Sequence, residues 1–319
     1  MKRWMLVAAG LLIVGLLMLG VGDEILAQRR ISLATGGVGG VYYPLGGAMA
    51  KLWTDNIPGI IVTAETSGAS VANARLIQKG DVQLAFIQND IASYAYHGEE
   101  MFKAEGALRK VLGMAMLYPE VIQIVTLKGK GIAKVEDLKG KRVAVGAPGS
   151  GTEANARQIL EVHGLTYADI DEQFLPFAEA ATALKDGRID AAFLTAGIPT
   201  AAVIDIAATH DIALVPITRA KASELEKRWT FYDAFTIPAN TYRGQTAPVE
   251  TVAVLAMLVA HAELDSDLVE QMLDVLFLTK SLDTLCKTHV RGCDIKRERA
   301  LIGMPIPLHP GAARYYSKR

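Results

Sequence analysis

The chain has 319 residues, of which 51% are hydrophobic and 21% charged; this is ample to bury two cores and excludes a disordered or fibrous chain. Lys and Arg total 33 against 34 Asp and Glu, so the broad positive field that draws nucleic acid or anionic lipid is missing, and no nucleic-acid partner is expected. At roughly 100–200 residues per domain, two domains are the natural count.

Met1-Lys2-Arg3 precedes a stretch from Trp4 to Gly22 without an ionisable side chain. A basic head on an apolar run is the pattern of an export signal, expected over residues 1–27. The alternative is a retained membrane anchor, since about 19 apolar residues can span a bilayer. Two cleavage points compete. Cutting after Ala27 leaves Ile25 where a small residue is preferred, and cutting after Gly22 leaves Asp23-Glu24 at the new terminus. No Cys follows the run, which argues against a lipoprotein. Further along, the best candidate span, Val252–Ala260, has only the length of a strand.

From residue 31 one local pattern recurs, in which a short apolar or β-branched run ends in a Gly/Ser/Thr-rich turn that opens into an amphipathic helix. Ile31–Thr35 leads into Gly36–Gly40, Ile60–Ala64 into Glu65–Gly68, and Leu84–Ile87 into Gln88–Asp90. After the long extended stretches Leu112–Tyr118 and Val121–Leu127 the pattern resumes, with Arg142–Val145 before Gly146–Thr152 and Asp190–Leu194 before Thr195–Pro199. Strands alternating with helices at this spacing predict mostly parallel α/β sheets. The extended stretches read as a crossover between lobes, and Thr251–Ala260 as the return, followed by a helix over Ser266–Leu285. The expected division is a discontinuous first lobe, residues 28–120 and 251–319, and a second lobe, residues 121–250.

In such sheets ligands bind beyond the carboxyl ends of the strands, where all five polar turns fall. Unpaired N–H groups at a helix start, with the positive end of the helix dipole, can receive a carboxylate when no bulky side chain intervenes. Ser150, Gly151 and Thr152 fit best, because an ordinary cap explains one hydroxyl but not two interleaved with glycines. Gly37 and the following Tyr42 and Tyr43 offer backbone access, a ring and hydroxyls, and which tyrosine faces a ligand is open. Thr66, Ser67 and Ser70 are candidates with capping as the rival role. Gln88, with Asn89 beside it, ends a strand and can supply an amide. Tyr118 in the crossover and Thr195 and Gly197 in the last turn complete the candidate set.

Several chemistries are disfavoured. Thr152 stands where a nucleotide-binding P-loop needs Lys, and Tyr42 where a dinucleotide fingerprint needs its last Gly. No nucleophile elbow or zinc-binding His pair occurs, so neither enzymatic activity nor a cofactor is expected. Cys286 and Cys293 lie seven apart; a disulfide in an oxidising compartment and two reduced thiols both remain open, with metal binding beside His289 the weaker option.

With these turns located, the chain resembles the TAXI branch of solute-binding proteins that serve tripartite ATP-independent periplasmic (TRAP) transporters. The resemblance rests on Ile31-Ser-Leu-Ala-Thr-Gly-Gly-Val-Gly-Gly-Val-Tyr-Tyr-Pro44, Gly146–Thr152, Ala183–Phe193 and Leu308–Tyr316. It implies a periplasmic, two-lobed α/β binding protein of type II-like fold, with a mostly parallel sheet in each lobe and a ligand cleft between them. It also implies hinge closure on a small anionic metabolite, an acidic amino acid or dicarboxylate, and delivery to a TRAP membrane permease. A sensor subunit with the same fold, or less readily an exported enzyme, is the competing reading. None of the polar turns carries an Arg, and Arg75 and Arg157 are expected to serve at the surface or behind the site. The Cys286/Cys293 pair departs from the family pattern, and His309-Pro-Gly311 is expected to dock the C-terminal segment.

Overall fold

Among the described residues, 28–318 of a computed structural model, ten strands join in one sheet. The expected export signal lies outside them. The strands are β1 (Arg29–Ala34), β2 (Ile60–Glu65), β3 (Leu84–Gln88), β4 (Val111–Leu127), β5 (Arg142–Ala144), β6 (Asp171–Gln173), β7 (Ala191–Ala196), β8 (Ile212–Val215), β9 (Asp233–Ile237) and β10 (Val249–His261). Their order is β2-β1-β3-β10-β4-β7-β5-β6, with β8 paired to β4 and β9 to β10. At the two ends, β1 with β2 and β3, and β5 with β6 and β7, pair in parallel. In the middle β4 and β10 run antiparallel to each other and to their neighbours. The fold is mixed α/β.

The two central strands carry the chain from one core to another. Met114–Tyr118 and Ala256–Ala260 pack with Leu33, Trp53 and Phe86 or with Ile77 and Ile91. Val121–Val125 and Val252–Val254 pack instead with Ile159 and Phe193 or with Leu184 and Val203. A proline in a strand interior removes a ladder donor, and at Pro119, opposite Leu255, the register of β10 shifts. On the opposite side of β10 the Leu255 N–H donates to Asn89 Oδ1 at 3.0 Å, just beyond the end of β3. The crossover is thus one long strand, β4, rather than two stretches.

The helices that matter for function all follow strand ends. They are α1 (Tyr42–Asn56), α2 (Ser70–Lys79), α3 (Asn89–His97), α4 (Gly151–Val162), α5 (Phe177–Lys185) and α6 (Ala201–Thr209), with α7 (Arg219–Arg228) covering the second core. Pro44 is accommodated in α1 because a first-turn N–H has no intrahelical acceptor. The α2 helix stops at Gly80, which adopts φ 82° and so supplies the left-handed terminus that a side chain would oppose.

The predicted helix over Ser266–Leu285 is instead two, α8 (Ser266–Leu276) and α9 (Thr279–Thr288), turned at Phe277-Leu278. A last helix, α10 (Pro310–Ser317), packs on α8. His309 is fully buried, its N–H donates to Gly113 O at 2.8 Å, and its Nδ1 accepts from Gly311 N. A Cβ on Gly311 would overlap Ser266 O, so this motif docks the C-terminal helix on the sheet.

Cys286 and Cys293 are disulfide-bonded, with Cα atoms 4.3 Å apart. The bridged loop brings His289 Nε2 within 3.0 Å of Pro199 O and lays Arg291 over Gly197. No helix among the described residues is long and apolar enough to cross a membrane.

Candidate functional site

Three helix starts open on one cavity of about 300 Å3. From the first core come the Gly36–Val41 turn with Tyr42 at the start of α1, and Ser67–Ser70 at the start of α2; from the second come Ala147–Thr152 at the start of α4. Gln88, Glu120, Thr195 and Ala196 form the strand-end walls, and Pro176 and Phe177, leading into α5, close one side.

Local chemistry explains the turn at α4. Ser150 accepts from Glu153 N at 3.2 Å as an N-cap, and its own N–H is spent on Ala147 O. The N–H groups of Gly151 and Thr152 have no acceptor among the described residues, as expected of the first turn of a helix. Thr152 Oγ1 accepts from Thr195 N at 3.3 Å, which ties the helix start to the end of β7. Thr195 Oγ1 is buried, lines the cavity and has no hydrogen-bond partner among the described residues. A buried hydroxyl without a hydrogen bond is costly, so its place in this wall points to a ligand.

The α2 turn is shaped with comparable tension. Ala69 adopts φ 68° and ψ −149°, a conformation nearly reserved for glycine, which costs on the order of 1–3 kcal/mol. Ser67 Oγ offsets part of this by accepting from Ala69 N and donating its one proton to Asn73 Oδ1 at 2.6 Å, with Thr35 O, 2.9 Å away, the alternative acceptor. Ser70 Oγ accepts from Gln88 N at 3.1 Å. Sequence reasoning offered no sign that Ala69 would be held this way.

The walls from the two cores touch. Ala72 N donates to Gly149 O at 3.0 Å and Ala202 N to Gly39 O at 3.1 Å. Gln88 Nε2 donates to Asn155 Oδ1 at 3.2 Å, and Asn155 Nδ2 reaches Asp90 Oδ2 and the Tyr232 hydroxyl, both at 2.9 Å. Tyr232 donates to Gln158 Oε1 at 2.6 Å. This buried chain of polar groups bridges α3 and α4. Burial raises the Asp90 carboxyl to about 6, although the Ile91 N–H and the Asn155 amide favour its charged form.

Of the residues singled out by sequence, Gly37, Tyr42, Ser67, Ser70, Gln88, Ser150, Gly151, Thr152 and Thr195 line this cavity together. Four do not. Tyr43 points to a separate surface groove with Lys51 and Asp55, because it sits on the outward face of α1 while Tyr42 shares the buried face with Leu45 and Met49. Thr66 is exposed on the turn. Tyr118 is buried under Gly197, and Gly197 in turn is glycine because Arg291 Cγ would lie 2.5 Å from a Cβ there. Arg75 and Arg157 pair with Glu105 and Glu153 rather than turning inward.

Glu120 is the residue that sequence reasoning passed over. It is 3% exposed, lines the cavity, and accepts from the Tyr42 hydroxyl at 2.6 Å. Burial, more than any neighbour, raises its carboxyl to about 8; Tyr42 opposes the shift and Asp90 adds to it. Tyr42 is held well above its ordinary value, first by burial and then by Glu120. Among the described residues no Lys, Arg or His lines the cavity. Among the described residues no cluster of three or more His, Cys, Asp or Glu could hold a metal ion.

Comparison with known proteins agrees with this architecture. The NMT1-like family model matches residues 33–318. MatC from Rhodopseudomonas palustris, solved with bound malate, is similar at 12% identity and TM-score 0.56, over 91% of this chain and 98% of that one. A protein of Bordetella bronchiseptica RB50 is similar at 18% identity and TM-score 0.57, over 92% and 82%. The periplasmic aliphatic sulphonate binding protein SsuA from Escherichia coli is similar at 18% identity and TM-score 0.47, over 91% and 84%. The mixed α/β fold is thus shared with MatC along nearly the whole of that chain.

Proposed function

The chain belongs to the NMT1-like family, and we propose that it is an exported solute-binding protein that captures a small carboxylate and delivers it to a TRAP-type membrane permease without altering it. The observation that carries this reading is the convergence of helix starts from both cores on one cavity, with the Gly151 and Thr152 N–H groups and the Thr195 hydroxyl unspent among the described residues. Such groups neutralise a carboxylate without a cationic side chain. The malate held by a protein of the same fold supports a small organic acid. Ser150 is engaged by the Glu153 amide, and no basic side chain lines the wall to activate a hydroxyl there, which favours holding over catalysis.

The division into lobes at about residues 120 and 250 belongs to the same proposal. It is supported by the change of core along β4 and β10. Those two strands would act as the hinge, and the Gln88–Asn155–Asp90 bridge would form as the lobes meet.

A thermal-shift panel of amino acids and dicarboxylates tests the function. A ligand at about 100 times its Kd is expected to add about 2.7 kcal/mol of stability, and recovery of that ligand unaltered after long incubation is expected as well. A panel without a single stabilising carboxylate would overturn the proposal, as would its conversion to product.

A further inference from the structure

The cavity has a donor wall and an acid facing into the same space. Backbone N–H groups and hydroxyls at the start of α4 and the end of β7 can receive a carboxylate. Among the described residues Glu120 is the one carboxyl group in the lining, and none of them lines the cavity with a cation to offset it. A ligand bearing carboxylates alone would set its negative charge beside this acid with nothing between them. A ligand carrying both a carboxylate and an ammonium would match each feature with its complement.

The surroundings of Glu120 are built to present it. Tyr42 donates to Oε2 and is the only hydrogen-bond partner of the carboxyl group among the described residues. That bond fixes the orientation of the group and leaves the second oxygen for another donor. The titratable groups that face it are Tyr42 from α1, Tyr118 from its own strand and Asp90 from α3. In the sheet β10 opposes it with Val254, and β7 pairs Ala196 with the next residue, Val121. From α2 the cavity receives Ser70. None of these is a cation. The volume, about 300 Å3, lies at the small end of the usual range for ligand pockets, roughly 300–1,000 Å3.

Resting on the carboxylate reading above, we propose that Glu120 pairs with an ammonium group on the ligand, so that the cavity selects a zwitterionic amino acid over the same acid lacking its amino group. Glu120 is then a specificity-determining residue, and binding is linked to its ionisation. The free protein holds Glu120 largely protonated at pH 7, the ammonium draws it into the charged form, and the proton leaves to solvent. Affinity therefore rises with pH by about tenfold per unit until pH reaches about 8.

The test is calorimetry at pH 7 in two buffers of different ionisation enthalpy. It uses L-amino acids paired with their deaminated counterparts, such as L-glutamate with glutarate and L-leucine with 4-methylpentanoate. The expected result is an amino acid that binds at least 100-fold more tightly than its deaminated partner and releases close to one proton. Glu120→Gln, which keeps an acceptor for Tyr42, is expected to lose at least 100-fold and to release no proton. The paired ligands and the proton count are read in the unaltered protein, so the result holds even where the variant does not fold. A deaminated acid that binds as tightly as its parent would overturn the ammonium assignment and leave carboxylate capture standing. Proton release that survives in Glu120→Gln belongs to Asp90 and would overturn it equally. Failure of both sets to bind overturns the assignment together with the reading beneath it.

Discussion

Replacing Gly151 with valine is expected to weaken ligand binding by about 10- to 100-fold while leaving both cores folded. The reason lies across the cleft. A Cβ at Gly151 would overlap Gln88 Oε1, lie 2.5 Å from Gln88 Cδ, and come within 3.2 Å of Ile91 Cγ1. The Gln88 amide could swing aside only by breaking its bond to Asn155, and Ile91 is fully buried and cannot retreat. Overpacking of this kind costs about 1–3 kcal/mol, and because the two sides belong to different cores the strain is relieved by opening the cleft. Each 1.4 kcal/mol of lost closure is tenfold in affinity. Ligand titration of the variant checks the loss, and small-angle scattering should show a larger radius with ligand present. Unchanged affinity would mean that closure at Gln88 and Gly151 contributes nothing to binding.

Relative to Glu120→Gln, the ligand-free protein should become more stable as pH falls from 8 to 6.5, by about 2 kcal/mol, the reverse of an ordinary carboxylate's contribution. Glu120 has its folded-state value raised to about 8 by burial. Between the ordinary carboxylate range and pH 8 the native state therefore holds a proton that the unfolded chain has given up. Its contribution is complete below the unfolded value and is lost as pH rises through about 8, at about 1.4 kcal/mol per unit. Asp90, raised to about 6, adds in the same sense at lower pH. A counter-current acts as pH enters the ordinary histidine range, because burial holds His163, His261, His289 and His309 below their usual value and the unfolded chain then takes up more protons. Glu120→Gln carries the same histidines, so the difference between wild type and variant in thermal melts isolates Glu120 and is expected to change by a few degrees between pH 8 and 6.5. A difference that stays constant between pH 6.5 and 8 would show that Glu120 is not held protonated.

Much of this site is written in short-range signals. Gly36–Gly40 and Gly149–Thr152 announce themselves because turns that place bare N–H groups before a helix tolerate few side chains, and both turns line the cavity. The choice between Tyr42 and Tyr43 was legible in principle, since Tyr42, Leu45 and Met49 recur at helical spacing on one buried face. Glu120 also left a trace. It is the only carboxylate in the 17-residue strand Val111–Leu127, and a lone acid in such a run rarely lies buried without a role. Phe177 left none, because its position depends on how the β6–α5 turn folds over the cleft. Nor could local pattern show that Tyr118 and Arg291 both come up against Gly197, the latter brought there by the disulfide loop from far along the chain. The break at Phe277-Leu278 carries neither Gly nor Pro, so periodicity reads through it.

Where a ligand's carboxylate comes to rest decides whether the helix starts form the binding site. A crystal structure of the complex with whichever amino acid stabilises the protein settles this directly. The expected map places that carboxylate within hydrogen-bond distance of the Gly151 and Thr152 amides, enclosed by the 36–40 turn. A carboxylate bound elsewhere, for instance in the outer groove between Tyr43 and Lys51, would contradict it.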